Sequence, residues 1–447
     1  SIMTFAEFKN VVIARCQALG VADYELYYQT AESMDISAYQ MEIDRFSGSL
    51  EGGVCFRCIR DGKMGYASTE ALTREAAEQI VSQALDNASA LEADEPVFLC
   101  EGGKTYAKLN PSTLAMPDTD TLAAKVLETQ KKLYDADPAV VDGTSAEGVA
   151  ERQQIAIFNS RGLDLQEQTT LVGLVAAAVV RREEEMANDY RVVLRDLEQI
   201  DTDALAKQVA ASALAQLGGE PAPTGKYPVI FDPDAMSELL GTFAAVFSAE
   251  NARKGLSRLK DREGEIIAAP LVTLRDDPAY PGSYLQRSFD AEGSPAYPKE
   301  IISQGKLNTL LYDLKNAALA GRETTGNASK SGYDAPVSIQ PFTLYLTPGS
   351  VSEEELLAQA GNGVYIHSLD GLHAGANAIS GDFSLQSAGF HIENGRKTDR
   401  VKSFTVAGNF YSLLENIRAV ADNLEFPGMG RVGSPSVLVD GLSVAGK

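Results

Sequence analysis

The sequence is poor in residue types on which several common functions depend. It has no tryptophan, three histidines and four cysteines in 447 residues, and its 39 basic residues are outnumbered by 62 acidic ones. The formal charge of −23 argues against direct nucleic-acid binding, because that binding depends on lysine and arginine displacing counterions from phosphates. Since the chain also lacks an uncharged apolar run of about 18 residues, we expect no membrane span.

The few cysteines indicate a reducing compartment. All four lie in the first quarter of the chain, which is too few and too clustered for a disulfide framework. The first residues also lack the basic and apolar regions of a secretory signal peptide. We therefore expect a cytoplasmic protein.

Cys55 and Cys58 form a C-x-x-C motif, which can mark a redox pair or half of a zinc site. The motif lies inside an alternating strand pattern, without a helix start to lower a thiol pKa and without a second Cys or His pair. Residues three apart also point to opposite faces of a strand. We expect two structural cysteines.

The chain also lacks the glycine-rich signatures of nucleotide sites and of serine hydrolases. Neither G-x-x-x-x-G-K-[ST], nor G-x-G-x-x-G opening a helix, nor G-x-S-x-G is present. The sequence therefore predicts no cofactor.

The N-terminal part predicts strand meanders with flanking helices. A capping box opens a first helix that ends at Gly20, residues 24–69 alternate as strands, and a helix follows over 74–88. The order strand, strand, strand, helix reappears between about residues 154 and 217. This is either a degenerate internal repeat or a coincidence between two ordinary α+β segments.

A Gly- and Pro-rich segment, G-G-E-P-A-P-T-G, predicts a domain boundary after Gly218. We expect an N-terminal α+β domain over 1–218, a linker over 219–226 and a mostly-β C-terminal domain over 227–447. Asp232 is expected to cap a helix, and further helices are expected near 352–360 and 412–422. The predicted fold class is α+β.

Two groups of polar residues could carry chemistry. In F-D-A-E-G, Asp290 and Glu292 could serve as paired carboxylates for general acid and base catalysis, or could simply form a turn. The three histidines, His367, His373 and His391, are clustered, but their spacing matches no ligand motif and predicts no shared metal. His373 lies between glycines that permit close approach to a ligand, although a turn histidine remains an alternative.

The C-terminal half carries three glycine-anchored motifs, here called the glycine block. They are G-L-H-A-G at Gly371–Gly375, G-D-F-S-L at Gly381–Leu385 and V-A-G-N-F at Val406–Phe410. With Y-P-V-I-F-D-P, S-A-E-N-A-R-K-G, F-D-A-E-G and T-T-G-N-A, they resemble the TldD/PmbA family of peptide-maturing proteases, also called modulators of DNA gyrase. The closing G-S-P-S-V-L-V is more similar to the PmbA branch, also called TldE. A looser likeness extends into the N-terminal half.

In the metal-bearing branch of that family, the resemblance implies that H-E-x-x-x-H on a helix and a later cysteine bind zinc. Alignment through R-K-G places Leu240, Gly241 and Ala245 at those positions, where we expect them to extend the buried stripe of the helix. No histidine precedes His367, and no cysteine follows Cys100. The family zinc site cannot form from this chain alone.

The resemblance therefore implies the non-metal subunit of a metalloprotease complex that acts on unfolded peptides, inactive alone and paired with a zinc-bearing TldD-like subunit. One alternative is a homodimeric peptidase that uses an unrecognised site, with His373, Asp382, Asp290 and Glu292 as candidates. Another is a peptide-binding or chaperone-like module that adds extended peptides to an exposed sheet edge. The residues expected to bind peptide or to shape the block are Gly371, His373, Gly375, Gly381, Asp382, Phe383, Gly408 and Asn409.

Overall fold

The computed structural model describes residues 1–92, 95–109 and 115–447 and confirms the α+β class. The ten helices described are α1 Phe5–Leu19, α2 Arg74–Ser89, α3 Thr119–Ala136, α4 Thr202–Leu214, α5 Pro233–Phe243, α6 Ala249–Arg253, α7 Leu314–Leu319, α8 Glu353–Ala360, α9 Leu372–Gly375 and α10 Phe410–Glu415. The first eight strands are β1 Asp23–Tyr39, β2 Glu42–Arg60, β3 Lys63–Thr69, β4 Ser145–Asn159, β5 Asp164–Arg182, β6 Glu185–Leu194, β7 Gly225–Lys226 and β8 Val229–Phe231. The later strands are β9 Leu274–Asp276, β10 Lys299–Ser303, β11 Lys306–Leu307, β12 Ala328–Ser329, β13 Ser338–Ile339, β14 Leu344–Leu346, β15 Gly363–Asp370, β16 Asp382–Glu393, β17 Arg396–Asn409, β18 Ile417–Val420, β19 Val432–Gly433, β20 Val437–Val439 and β21 Ser443–Ala445.

The first six strands form one antiparallel sheet, here called the N-terminal sheet, in the order β3-β2-β1-β4-β5-β6. Helices α1 and α2 cover one end of one face, and α3 and α4 cover the other end, as the buried clusters around Leu26 and Ile36 show. The opposite face carries Tyr27 and Ile157, which pack against Phe289 of the C-terminal half. One face of the sheet is thus a helix layer, and the other is a junction with the rest of the chain.

The local signals of the N-terminal half are confirmed. Thr4 accepts a hydrogen bond from the N–H of Glu7 and caps α1, and Gly20 closes the helix with φ 68°. Cys55 packs into the junction while Cys58 packs under α1 and α2, so the C-x-x-C motif is split between the two faces of β2. The segment P-S-T-L-A-M-P-D before α3 is predicted from its Pro and Asp residues to be a loop, and its residues 111–114 lie outside the described residues.

The element order strand, strand, strand, helix does occur twice along this half. It runs β1, β2, β3, α2 and then β4, β5, β6, α4. The two sets are joined through β1 and β4 at the centre of the sheet. Whether they descend from one repeated unit stays a prediction.

The C-terminal half contains an eight-stranded sheet with the order β18-β20-β8-β15-β16-β17-β21-β7, here called the C-terminal sheet, and a five-stranded sheet, β11-β10-β9-β14-β19. Helix α5 lies at the centre of the core between them. Asp232 caps it as predicted, and the predicted stripe of Met236, Leu239, Leu240 and Phe243 is fully buried. This core fixes the position of the glycine block.

One predicted helix is wrong over most of its length. Residues 412–422 were expected to be helical, but α10 ends at Glu415 and β18 begins at Ile417. The apolar side chains of β18 pair with β20 and fill the core, so tertiary packing overrides the local helical pattern. Helix α4, which the sequence predicts to open at Asp203 and to close at Gly218, runs from Thr202 to Leu214 with Asp201 as its N-cap.

We propose that residues 1–218 and 227–447 are two domains, since each contributes its own sheets. Of the segment between them, Gly225 and Lys226 form β7, which pairs with β21 in the C-terminal sheet. Among the described residues, no helix is both long enough and apolar enough to span a bilayer.

Candidate functional site

The glycine block forms one continuous surface on two neighbouring strands. Asp382, the first residue of β16, is the register partner of Asn409, the last residue of β17. Helix α9 approaches the same strand end, because Ala376 forms a bridge with Phe383. The structure therefore brings together all eight residues expected to belong to this block.

Asn409 holds this surface together through both ends of its amide. The Nδ2 group donates to the carbonyl of Ser380 at 2.8 Å and to Oδ1 of Asp382 at 2.9 Å. The Oδ1 atom accepts from the N–H groups of Tyr411 at 3.0 Å and Ser412 at 3.3 Å, which caps α10. One side chain thus ties the loop before β16 to the helix after β17.

The glycines at this surface are required by close approach. Gly381 has φ 85°, and a Cβ atom there would lie 2.6 Å from a ring carbon of Tyr411. At Gly375 a Cβ atom would lie 2.4 Å from the carbonyl oxygen of Ser384. Both contacts are too short for any side chain, so these glycines shape the block.

His373, Asp382 and Ser384 are exposed polar side chains of the block. The hydrogen bond from Asn409 holds the pKa of Asp382 below its usual range, so this carboxylate is ionised at neutral pH. An exposed carboxylate and an exposed imidazole can each bind polar groups of a peptide. Their roles stay a proposal.

The positions aligned with the family's zinc ligands do not fit a metal. Leu240 is fully buried in the core and offers no donor atom. Gly241 and Ala245 are exposed, contrary to the expectation that they extend the buried stripe, and they also lack donors. No step of a mechanism can be assigned to zinc at this helix.

Asp290 and Glu292 lie in a different place, at the junction beneath the N-terminal sheet. Asp290 is 1% exposed and Glu292 is 5% exposed, and the Asp290 carboxylate accepts the N–H groups of Glu292, Ser294 and Ala328. This pattern matches the turn interpretation of F-D-A-E-G. Buried this deeply, the pair does not face a substrate.

Glu292 is held close to a cation of the N-terminal sheet. Its Oε2 atom lies 4.0 Å from Nη1 of Arg57, and its Oε1 atom accepts from the N–H of Leu314. Burial raises the pKa of Glu292 to about 8, while the charge of Arg57 opposes this shift and that of Asp290 adds to it. The carboxyl group therefore keeps its proton at pH values where an exposed one is ionised.

This raised pKa predicts a pH-dependent stability. A folded chain that keeps a proton which the unfolded chain has released loses stability as pH rises from the unfolded pKa, about 4.3, through the folded one. We expect the wild type to lose more stability than Glu292→Gln between about pH 5 and pH 9, by up to about 1.4 kcal/mol per pH unit. Urea unfolding followed by circular dichroism at each pH measures the difference.

Glutamine retains the acceptor for Leu314, so the variant changes the charge and little else. Glu415→Gln, on the exposed end of α10, is the matched control and should follow the wild type. If the stabilities of the wild type and Glu292→Gln changed in parallel with pH, the carboxyl group of Glu292 would not be the cause of the pH dependence.

The sequence did not reveal a cluster around His367, formed by Asp189, Asp232, Asp234 and His367 and here called the His367 cluster. The Nδ1 atom of His367 lies 2.5 Å from Oδ2 of Asp232, and Nε2 lies 3.8 Å from Oδ2 of Asp189. The nearby carboxylates of Asp189 and Asp232 raise the pKa of His367 to about 10. Only the D-P-D sequence at the start of α5 hinted at an unusual density of carboxylates. His373 and His391 lie on α9 and β16, apart from this group.

A groove of about 380 Å³, here called the edge groove, is lined by the last residues of β6. Among the described strands, β6 pairs with β5 alone, so its other edge presents unpaired backbone groups. Aromatic rings of Tyr280 and Phe426, 4.7 Å apart, stand at the opposite wall. The lining residues are Leu171, 191–195, 280–285, Phe426 and 428–430.

Three family models match the chain in succession. The PmbA/TldA metallopeptidase domain 1 matches residues 24–88, the central domain matches 113–217, and the C-terminal domain matches 224–446. Together these matches extend over most of the chain.

Similar whole proteins are also known. A Methanothermobacter thermautotrophicus protein named metalloprotease is 27% identical over 90% of this chain and 88% of its own length. A Haemophilus influenzae protein named metalloprotease PmbA homolog is 24% identical over 95% of this chain and 92% of its own length.

Among solved structures, a Thermotoga maritima protein named as a modulator of a DNA gyrase superposes with a TM-score of 0.90 at 30% identity, covering 99% of this chain and 100% of that one. TldE from Thermococcus kodakarensis shares the fold, with a TM-score of 0.87 at 24% identity over 98% of this chain and 99% of its own.

Proposed function

We propose, since the chain belongs to the TldD/PmbA family, that it is the non-metal subunit of a peptidase complex whose partner carries the zinc motif. The observation that carries this proposal is the lack of metal-binding side chains at the aligned positions of α5 and the turn after it. At the aligned ligand positions stand a buried Leu240 and the donor-free Gly241 and Ala245. The surrounding scaffold of the family is nevertheless complete in this chain.

The partner in this proposal is a TldD-like chain that binds zinc and cleaves unfolded peptides, in a heterodimer with this one. The exposed surface of the glycine block supports a role in contacting that partner or the peptide, because Asp382 and His373 reach solvent there. We place the complex in the cytoplasm, since the four buried free thiols suit a reducing compartment.

The edge groove favours a second candidate function, the binding of extended peptides without cleavage. The free edge of β6 can add a peptide strand through main-chain hydrogen bonds, and the aromatic wall offers contacts for its side chains. This activity is compatible with the first proposal, because a subunit that admits unfolded substrate must bind it.

The homodimeric alternative is less well supported. Of its four candidate residues, Asp290 and Glu292 are buried at the junction and cannot contact a peptide. His373 and Asp382 are exposed and remain available to it.

A cleavage assay on mixed subunits tests the proposal. We expect the purified chain alone to leave an unstructured fluorogenic peptide intact. We expect cleavage after addition of a family member from the same organism that carries H-E-x-x-x-H, and loss of that cleavage on addition of a chelator, because only the partner can activate water at zinc. Fluorescence anisotropy of the same peptide measures binding in parallel.

His373→Ala in this chain serves as the discriminating variant, and cleavage by the mixture should survive it. Chelator-sensitive cleavage by the chain alone would refute the non-metal role. Loss of cleavage with His373→Ala would support a catalytic histidine instead. Peptide binding without cleavage in either sample would leave the binding module as the function.

A further inference from the structure

Three members of the His367 cluster come from two neighbouring strands of the C-terminal sheet and the helix start that follows one of them. Asp232 follows β8 and caps α5, and Asp234 lies in the first turn of that helix. His367 lies on β15, which runs parallel to β8 with Ile366 beside Phe231. The ends of the two strands therefore present an imidazole and two carboxylates to the same space.

A break in the strand register helps to place this histidine. The pairing of β15 with β16 shifts between Ile366 and Ser368, which leaves His367 as the extra residue of a β-bulge. Bulges redirect a side chain, and they are over-represented beside functional sites. Here the ring is directed at the start of α5.

The distances between the donor atoms of Asp232, Asp234 and His367 suit the binding of one shared metal ion. Nδ1 of His367 lies 2.5 Å from Oδ2 of Asp232 and 3.9 Å from Oδ2 of Asp234, and the three donor atoms all lie within 4.8 Å of one another. A metal ion about 2.0–2.2 Å from each donor would separate them by roughly 3.0–3.4 Å. Side-chain shifts of less than about 1 Å would therefore bring all three donors to bonding distance.

The donors differ in exposure, and this leaves room for water ligands. Asp232 is 6% exposed, and its other oxygen is fixed by the N–H of Ala235 at 2.8 Å, so only Oδ2 is free to face the ring. The side chains of Asp234 and His367 are partly exposed on the other side. The Asp232 carboxylate is therefore fixed in place, while water can reach the side where Asp234 and His367 are exposed.

Asp189 supplies an independent observation, because it comes from β6 of the N-terminal sheet. Its carboxylate faces Nε2, the ring nitrogen that does not face Asp232 and Asp234. Histidines that bind metals through one nitrogen usually donate the other N–H to a carboxylate, which fixes the ring and its tautomer. Asp189 occupies that position.

We propose that Asp232, Asp234 and Nδ1 of His367 form a binding site for a divalent first-row transition metal ion, with Asp189 orienting the imidazole. One imidazole nitrogen and two carboxylate oxygens form a donor set suited to Zn²⁺, Co²⁺ or Mn²⁺. This site is distinct from the aligned family positions, which lie at the other end of α5.

The surrounding charge is compatible with a dication. Glu238 and Glu425 also lie close enough to interact with the charges of the cluster, and Arg400 lies near Asp189. The start of α5 carries a partial positive charge that opposes a cation. The full negative charges of Asp232 and Asp234 outweigh it.

Titration of Zn²⁺ into the chelator-treated full chain, followed by isothermal calorimetry, tests the site. We expect binding of one ion per chain in the wild type and loss of this binding in His367→Ala. Asp189→Asn should weaken the affinity by about 10–100-fold, as removal of an orienting carboxylate does elsewhere. The visible absorption of the Co²⁺-loaded chain gives a second readout that needs no peptidase activity.

Two further variants distinguish the loss of a metal ligand from a disturbed helix start and from the loss of any histidine. Asp232→Asn retains an N-cap residue for α5, so it removes a ligand charge while the helix start is kept, and it should abolish binding. His391→Ala, on β16 and outside the cluster, should bind like the wild type. Absence of Zn²⁺ binding in the wild type, or equal binding in His367→Ala and His391→Ala, would show that the cluster is an ion pair only.

Discussion

Replacing Arg57 with alanine should lower the free energy of unfolding by about 3–5 kcal/mol. Arg57 on β2 and Glu25 on β1 are register partners, and both side chains are almost completely buried. The guanidinium contacts Glu25 through two hydrogen bonds, of 2.6 Å and 3.1 Å, and lies near Glu292. The variant leaves Glu25 buried without its hydrogen-bonded cation, which is why the loss is large. Urea unfolding followed by circular dichroism measures it.

The double variant Arg57→Met, Glu25→Met is the control for this prediction. It removes both charges together and fills the space with apolar groups, and replacing a buried ion pair in this way is often close to neutral. We expect it to recover most of the stability lost in Arg57→Ala. A double variant as unstable as Arg57→Ala would mean that the loss comes from packing.

Phe410→Ala should have an effect of similar size, about 3–5 kcal/mol, because it opens a cavity in a fully packed core. The Phe410 ring is completely buried and stacks on Phe243 with 4.7 Å between centroids. Its backbone N–H also donates to the carbonyl of Gly381, so this residue connects the core to the glycine block. Denaturant unfolding gives the stability, and hydrogen exchange at residues 376–383 reports on the block.

Phe46→Ala is the matched control, since this ring is 54% exposed on β2. It should change the stability by no more than about 0.5 kcal/mol. Equal losses for the two variants would contradict the role of Phe410 in the core.

Local signals were sufficient where a helix or hairpin is determined by neighbouring residues. The cap at Thr4, the strands β1 to β3 and the Asp232 cap are all present in the structure. The helix expected over 412–422 failed because β18 is stabilised by pairing with β20, whose residues come later in the chain. The residue pattern of 412–422 alone does not show that a later strand will pair with this segment.

The same limit applies to the candidate sites. The glycine block could be predicted because its motifs are short and contiguous, and their assembly at Asp382 and Asn409 follows from one hairpin. The pairing of Asp232 with His367 joins residues 135 positions apart, and Asp189 enters from another sheet. Such a site is created by topology, and composition or spacing cannot show it.

The central position of β1 and β4 in the N-terminal sheet sets an order for folding during synthesis. β1 can pair with β2 as soon as that hairpin leaves the ribosome, but its second edge must wait for β4, since Tyr39 pairs with Ser145. Until then a strand of 17 residues presents an open edge to other nascent chains. Contacts between distant residues also form slowly, so the newly made N-terminal half stays open to association with other chains until β4 has been synthesised.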